Sequence, residues 1–249
     1  MATGVVKLNP HNPAGEGLEP WEEIPPSDLI SGTPKQRGLL VHEDKAQGLS
    51  VGVWDCTAMT AKLEPYSVHE FMYLLDGDVT MVDAKGHEET IAAGQAFVLP
   101  KGFTCQWRQE GYLRKFFVIL EDSSDAPPSV DAVVRPQPYG PAEGLTEMEL
   151  DAADFITAKP VQRQHIDYAD PSGRFLAGTW DATPYERPVT PSKRNELMHI
   201  LEGSVTMTSD SGPDLTFHAG DTFFVPQGAP CGWRSEVYVR KFFCIFQST

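Results

Sequence analysis

The sequence predicts an all-β protein built from two tandem jelly-roll barrels, and two observations lead to this fold class. The first is an internal duplication: residues 51–120 align with residues 177–246 at a constant offset of 126, with 29 identities in 70 positions. The second is a succession of short apolar and β-branched runs separated by turn residues, without a sustained helical period. One fold has therefore been duplicated, and many closely spaced short strands are typical of barrels and jelly rolls.

The duplication divides the 249 residues into two barrels joined by a linker. We predict an N-terminal arm over 1–20, a first barrel over 21–120, a Pro-rich linker over 121–146 and a second barrel over 147–249. One short helix is expected over Glu147–Phe155.

Eight runs of the first copy are candidate strands because β-branched and aromatic residues alternate there between turn residues. They read LLVHE, LSVGVWD, HEFMYLL, DVTMVD, ETIAA, AFVLP, TCQWR and LRKFFVIL. Asp76-Gly77 is expected to close a hairpin, since glycine accepts the positive φ that such a turn requires. The same pattern returns from 164 to 247.

Composition excludes several classes of partner. Twenty Lys and Arg against 35 Asp and Glu give a net charge of -15, which repels phosphate backbones and anionic lipids. Nucleic-acid and membrane partners are therefore not expected, and no apolar run approaches the roughly 18–20 residues of a membrane span. The N-terminus lacks the pattern of a secretion signal.

The four cysteines do not form a disulfide framework, and Cys105 and Cys231 occupy equivalent positions in separate barrels. We therefore expect a cytoplasmic protein with reduced thiols. The sequence leaves the oligomeric state open, with a homodimer as one expectation.

Two short motifs occur in each copy. The first copy contains Glu70-x6-Gly77 followed by Gly94-x5-Pro100-x-Gly102, and the second copy repeats both motifs 126 residues later. These motifs resemble the two signature motifs of the cupin superfamily, and the resemblance covers nearly all of both barrels. It implies a conical jelly-roll barrel with a functional site in its cavity.

Metal-binding cupins have a His-x-His pair before the glutamate and a third histidine after the Pro-x-Gly turn, and these residues hold Mn, Fe, Ni or Zn. Here the first two positions are Glu64 and Tyr66 in the first copy, and Thr190 and Ser192 in the second. The third position is a cysteine in both copies. We therefore expect no ordinary metal site and no other cofactor in either barrel.

The pattern is most similar to the histidine-poor cupin type 3 domains, whose relatives include ureidoglycine aminohydrolases and ethanolamine-utilisation proteins. Those domains share a Trp-Asp or Trp-Glu pair, the glutamate motif, a later tryptophan and an Arg-Lys-aromatic run. The chain has these features at Trp54-Asp55, Glu70, Trp107 and Arg114-Lys115-Phe116, and again at Trp180-Asp181, Glu196, Trp233 and Arg240-Lys241-Phe242. The ureidoglycine enzymes resemble the first copy only in the glutamate at position 64.

We interpret the chain as a bicupin that binds a small polar, carboxylate-bearing metabolite in a barrel cavity. The catalytic candidates are Glu64, Tyr66, Glu70 and Cys105, as acid/base or nucleophilic groups of the first copy. The ligand-binding candidates are Trp107, Arg114, Lys115, Glu196, Cys231, Trp233, Arg240 and Lys241.

Three functions stay open at this point. The first is a metal-independent isomerase, epimerase or lyase with acid/base groups in the first copy. The second is a non-catalytic ligand-binding or sensor module. The third is a metal-dependent aminohydrolase or dioxygenase that uses Glu64, Glu70 and Cys105.

Several of these residues also suit a purely structural role. Glu70 can be a structural glutamate paired with Arg114 or Lys115, and these two adjacent strand residues point to opposite faces. Cys105 and the tryptophans can be ordinary core residues. Conversely, carboxyls at Glu64 and Glu70 that share a proton would give an acid usable near neutral pH, which makes the first copy the expected reactive site.

Overall fold

The computed structural model describes residues 4–11, 17–123, 127–210 and 212–248. The remaining residues of the predicted arm and linker lie outside the described residues. The chain divides into two compact units, Leu8–Arg135 and Pro136–Thr249, the latter together with the described part of Ala2–Lys7. None of the described helices has the length and apolar character that crossing a membrane requires.

The described secondary structure consists of short strands and two single turns of 3₁₀ helix, Pro26–Asp28 and Ala152–Asp154. The strands up to the linker are β1 (Val6–Leu8), β2 (Glu19–Pro20), β3 (Leu29–Ser31), β4 (Gln36–Asp44), β5 (Leu49–Cys56), β6 (Met59–Ala61), β7 (Glu64–Pro65), β8 (His69–Asp76), β9 (Asp78–Asp83), β10 (Glu88–Ala92), β11 (Ala96–Leu99), β12 (Thr104–Gln109) and β13 (Leu113–Leu120). Those after it are β14 (Thr146–Glu147), β15 (Gln162–Ala169), β16 (Phe175–Ala182), β17 (Tyr185–Pro191), β18 (Asn195–Glu202), β19 (Ser204–Met207), β20 (Leu215–His218), β21 (Thr222–Val225), β22 (Pro230–Ser235) and β23 (Val239–Phe246).

The described residues of each unit form two sheets, in which the strands from β2 to β23 pair antiparallel. The sheets of the first unit have the strand orders β11-β8-β13-β5-β4-β2 and β10-β9-β12-β6-β3, and β7 also pairs with β12. The remaining two sheets have the orders β1-β21-β18-β23-β16-β15-β14 and β17-β22-β19-β20. Equivalent strands have equivalent neighbours: β8 lies between β11 and β13, as β18 lies between β21 and β23. The predicted fold of two tandem jelly-roll barrels is therefore confirmed.

All eight candidate strands of the first copy are present, as β4, β5 and β8 to β13. The helix expected over Glu147–Phe155 is wrong, because only Ala152–Asp154 forms a helical turn. The Met148 N–H donates to the Gln162 carbonyl, which continues the pairing of β14 with β15. The Asp151 side chain then accepts from the Ala153 N–H and begins the turn after most of the predicted helix has passed.

Parts of the linker pair with the barrel of their own unit. Val134 forms a β-bridge with Val98 in the first unit. In the second unit, the Thr179 hydroxyl donates to the Gln137 carbonyl at 2.7 Å. These segments therefore contribute backbone groups to the packed structure, although their composition is that of a linker.

Strand register places one set of alternating side chains inside the first barrel. On β13, Lys115 is opposite Trp54 of β5 and Leu74 of β8, and Ile119 is opposite Glu70 of β8. Since alternate residues of a strand share a face, Lys115 and Glu70 project to the same side of the sheet. That side is the barrel core, where Met72, Phe97, Phe117 and the tryptophans are buried.

The backbone at Gly77 and Gly94 predicts two different costs of replacing glycine by alanine. Gly77 has φ 74°, and a Cβ there would lie 2.1 Å from the Tyr112 carbonyl oxygen. Gly94 has φ 84°, with no heavy atom within 4 Å of the position of a Cβ. Gly94→Ala should therefore cost about 1–2 kcal/mol of unfolding free energy through φ alone, and Gly77→Ala distinctly more. Urea unfolding measures both values, and equal losses would contradict this geometry.

Candidate functional site

A buried lysine–glutamate ion pair lies inside the first barrel. The Lys115 Nζ is 2.8 Å from the Glu70 Oε1, and the two side chains are only 8% and 4% exposed. The Met72 sulfur lies 3.0 Å from the same Nζ. Because an unpaired charge is costly to bury, each of these two charges is stabilised by the other.

Two tryptophans enclose the lysine. The Lys115 Nζ lies 4.8 Å from the ring centroid of Trp54 and 4.9 Å from that of Trp107. Each indole N–H is held in turn, by Gln36 at 2.8 Å for Trp54 and by Gln109 at 2.7 Å for Trp107. A desolvated cation over an indole face is stabilised by about 2 kcal/mol, so the two rings offset part of the cost of burying the ammonium.

The second unit repeats this arrangement. The Lys241 Nζ lies 2.7 Å from the Glu196 Oε1 and 2.9 Å from the Met198 sulfur. Its distances to the ring centroids of Trp180 and Trp233 are 4.7 and 5.3 Å. We call each set of lysine, glutamate, methionine and two tryptophans a lysine cage.

The two cages differ at the second oxygen of the glutamate. In the first unit, the Tyr66 hydroxyl donates to the Glu70 Oε2. In the second unit, the Arg194 Nε donates to the Glu196 Oε2 at 3.2 Å. Ser192, which occupies the position of Tyr66, donates instead to the Arg194 carbonyl at 2.7 Å. A neutral donor in one barrel is thus replaced by a cation in the other.

These surroundings raise the pKa of Tyr66 in the first unit and lower the pKa of Glu196 in the second. Burial, followed by the negative charge of Glu70, raises the pKa of Tyr66 well above its ordinary value, so the phenol stays protonated. Burial raises the pKa of Glu196, but the opposing effects of Lys241, Arg194 and Arg187 outweigh it and lower this pKa to about 2.

The cysteines and Glu64 lie outside the reactive arrangement expected of them. Burial raises the pKa of the Cys105 thiol to about 12 and also raises that of Cys231, so neither is an activated nucleophile. Glu64 is exposed on β7, and the partners of the Glu70 carboxylate in the described chain are Lys115 and Tyr66. The structure therefore gives no support to a proton shared between Glu64 and Glu70.

The arginine of each Arg-Lys run belongs to a separate cluster on the opposite face of β13 or β23. Arg114 donates to the Tyr112 hydroxyl at 2.8 Å and lies 3.9 Å from Asp55, which is paired with Arg37 at 2.6 Å. The second unit has the equivalent cluster of Arg163, Asp181, Tyr238 and Arg240. Lys115 and Lys241 are thus the residues of these runs that face the barrel interior.

Sequence reasoning missed two residues near the second cage, Arg187 and Arg194. Their positions in the first copy are occupied by Ala61 and Val68. A comparison restricted to identical positions of the two copies misses both arginines, because the copies differ there. Comparing the charges at the non-identical positions identifies them.

A surface cavity of about 370 Å³ lies elsewhere in the second unit. It is lined by residues 146–149 and 164–166, on and beside β14 and β15. None of these lining residues belongs to a lysine cage, so this cavity is not part of the candidate site.

A family model for the EutQ-like cupin domain matches the chain twice, over residues 43–117 and 169–243. Together the two matches cover more than half of the chain. The chain belongs to the EutQ-like cupin family. In this EutQ-like cupin, the glutamate and lysine of each cage fall within the matched segments.

Among the solved structures with the same fold, three align with nearly the whole chain. A protein of the DUF861 family from Pseudomonas syringae pv. tomato, described as having unknown function, is 26% identical; the alignment covers 98% of this chain and 100% of that chain with a TM-score of 0.78. Ylba from E. coli, also of DUF861, is 12% identical (100% and 93% covered, TM-score 0.55). A cupin 2 conserved barrel protein from Leptotrichia buccalis is 10% identical (92% and 98% covered, TM-score 0.57). No curated protein matches the chain.

The residues of the EutQ-like cupin do not fit the metal of the ordinary cupin site. The histidine positions hold other residues, and the glutamate oxygens already accept from Lys115 and Tyr66 in one unit and from Lys241 and Arg194 in the other. An ammonium in direct contact with the carboxylate also repels a second cation. The donor set is therefore unsuited to Mn, Fe, Ni or Zn.

Loss of one cage charge should destabilise its barrel. Lys115→Met leaves Glu70 buried and unpaired, at an expected cost of about 3–5 kcal/mol. The double variant Glu70→Gln/Lys115→Met should recover much of that loss, because no unpaired charge stays buried. Urea unfolding followed by fluorescence tests this, with Arg114→Gln as the control outside the cage. A double variant as unstable as Lys115→Met would contradict the pairing.

The lowered pKa of Glu196 predicts a pH dependence. A carboxyl whose folded pKa is about 2 contributes stability above its ordinary value of 4.5, and loses that contribution as the pH falls from 4.5 towards 2. We therefore expect the unfolding free energy of the unmodified chain to approach that of Glu196→Gln over this interval. Parallel denaturant titrations from neutral to acid pH measure the difference. A difference in unfolding free energy that stays constant down to pH 2 would contradict the lowered pKa of Glu196.

Proposed function

We propose that this EutQ-like cupin binds a small polar metabolite bearing a carboxylate, and that a barrel lysine supplies the attracting positive charge. The observation that carries the proposal is the lysine cage, which occurs in both units with the ammonium 2.8 or 2.7 Å from the glutamate. In metal-binding cupins a metal is the fixed cation at this glutamate. A cation held in place inside a barrel attracts a carboxylate without further reorganisation.

The rest of each cage also suits an organic ligand. Small-molecule sites are commonly lined by aromatic side chains, with a few polar groups that fix the orientation of the ligand. Trp54 and Trp107 supply such walls in the first unit, and Trp180 and Trp233 do so in the second. The indole N–H groups of Trp54, Trp107 and Trp233 donate to Gln36, Gln109 and Ser235, which holds these three walls in fixed positions.

Acid/base catalysis in the first unit is the second candidate function, and the hydrogen bond from Tyr66 to Glu70 favours it. A metal-independent isomerase, epimerase or lyase requires a group that accepts a proton from the substrate. Both oxygens of Glu70 already accept hydrogen bonds, and the raised pKa of Tyr66 keeps the phenol protonated. Ligand binding without turnover is therefore the better supported function.

A metal-dependent aminohydrolase or dioxygenase is supported less well. Its proposed ligands were Glu64, Glu70 and Cys105. Glu64 is exposed, Glu70 is paired with a lysine, and the thiol of Cys105 has a pKa of about 12. These three side chains offer no prepared site for a divalent cation.

A metabolite screen tests the proposed function. Carboxylic acids should raise the melting temperature of the chain, whereas the corresponding neutral amides should not. Lys115→Gln and Lys241→Gln, tested separately, should identify the barrel that binds, by a loss of affinity of about tenfold or more in calorimetry. Arg114→Gln and Arg240→Gln are the matched controls, one strand position away and outside the cages.

The same screen contains the outcome that would refute the proposal. If the amides bind as tightly as the acids, the carboxylate is not what the chain recognises. If both lysine variants keep their affinity, with circular dichroism showing the native fold, the lysine cages are not the binding sites. Turnover of any bound acid would instead favour the acid/base enzyme.

A further inference from the structure

We propose that the carboxylate site is in the second unit, at the open side of its lysine cage, and that Arg187, Arg194 and Lys241 form it. This inference rests on the proposed function and assigns it to one barrel. The expected ligand is a small carboxylate held by two guanidinium groups and an ammonium. The first barrel has a lysine equivalent to Lys241 but has neither arginine.

The charges around Glu196 do not balance. Its carboxylate is paired with Lys241 at 2.7 Å and with Arg194 at 3.2 Å, and Arg187 lies on β17 directly opposite the cage tryptophan Trp233 of β22. These three cations and one carboxylate leave a local surplus of two positive charges. An anionic ligand would neutralise this surplus.

The surplus is specific to the second unit. At the positions of Arg187 and Arg194, the first unit has Ala61 and Val68. There the lysine and glutamate of the cage balance each other, and Tyr66 is a neutral donor. The shared frame of the duplication therefore carries a balanced pair in one barrel and a cationic site in the other.

Both arginines are placed where a ligand can reach them. The Arg194 side chain is 42% exposed, although it contacts a glutamate that is 11% exposed. Arg187 is also exposed, and its guanidinium makes no hydrogen bond or ion pair in the part of the chain that the structure describes. The register of β17 with β22 nevertheless sets Arg187 opposite Trp233, which contacts the buried Lys241. A free guanidinium beside a buried ion pair offers a planar fork of donors that matches a carboxylate.

The backbone around Arg187 departs from a regular ladder. The pairing of β17 with β22 shifts register between Arg187 and Thr190. Opposite this irregularity, a Cβ on Gly232 would lie 2.9 Å from the Arg187 carbonyl oxygen and 2.2 Å from the Thr208 hydroxyl. The first copy has Gln106 at that position. Bulges of this kind redirect side chains and are frequent beside functional sites.

The overall charge makes this cluster more specific. The chain has a net charge of -15, so most of its surface repels anions. A local cationic site in such a protein selects a ligand by short-range contacts rather than by general attraction. We therefore expect a small carboxylate rather than a polyanion.

Calorimetry with acetate, pyruvate and succinate tests the inference, with succinamide, inorganic phosphate and sulfate as the comparison compounds. The variants Arg187→Ala and Arg194→Val each introduce the residue of the first unit. Each variant should reduce the affinity for the best-binding carboxylate by about tenfold or more. The unmodified chain should bind that carboxylate more weakly as the salt concentration rises, because salt screens the attraction between opposite charges. Lys193→Ser, which introduces the residue at position 67, removes one neighbouring charge and should leave affinity unchanged.

The outcomes separate this inference from the proposed function. Carboxylate binding that survives both arginine variants, with the fold intact, would overturn the inference alone. Because Arg187 is exposed and unpaired in the described chain, its variant should fold even if Arg194→Val does not. Tighter binding of phosphate or sulfate would overturn the assignment to carboxylates. Absence of any binding by carboxylates to the unmodified chain would overturn both proposals.

Discussion

The cost of burying a charged carboxylate inside each barrel determines most of what surrounds it. An isolated ion in a low-dielectric interior is strongly unfavourable, so Glu70 and Glu196 require cations at contact distance. The lysines that meet this requirement must themselves lose water, and two indole faces and a methionine sulfur partly replace it. The cage is thus one interdependent set of residues in which removal of one charge exposes the cost of the other.

A buried ion pair is a weak means of stabilising a barrel, because apolar residues of similar volume often serve as well or better. Its presence in both copies, while much of the remaining sequence has changed, therefore supports the proposal of ligand binding. The differences between the copies point the same way. Arg194 adds charge to one cage where Tyr66 adds a neutral hydroxyl to the other, so the duplicated frame supports two chemically different interiors.

The strands were predictable because alternation and turn residues are local signals. The duplication is visible in the sequence itself. The sequence also narrowed the partner of Glu70 to Arg114 or Lys115, and strand register selects Lys115. The exposure of Glu64 was not predictable, since the segment before β8 forms the two-residue strand β7 rather than a long regular one. The role of Arg187 was also hidden, because the irregular register of β17 with β22 places its charge opposite the cage tryptophan Trp233.

We infer that a lysine, rather than a metal, is the cation at the glutamate of each barrel. Anomalous diffraction from crystals soaked in manganese and zinc salts distinguishes the two. We predict no anomalous peak beside Glu70 or Glu196, with Lys115 and Lys241 still in contact with their carboxylates. A peak bound to either carboxylate, with the lysine displaced from it, would show instead that this glutamate is a metal ligand.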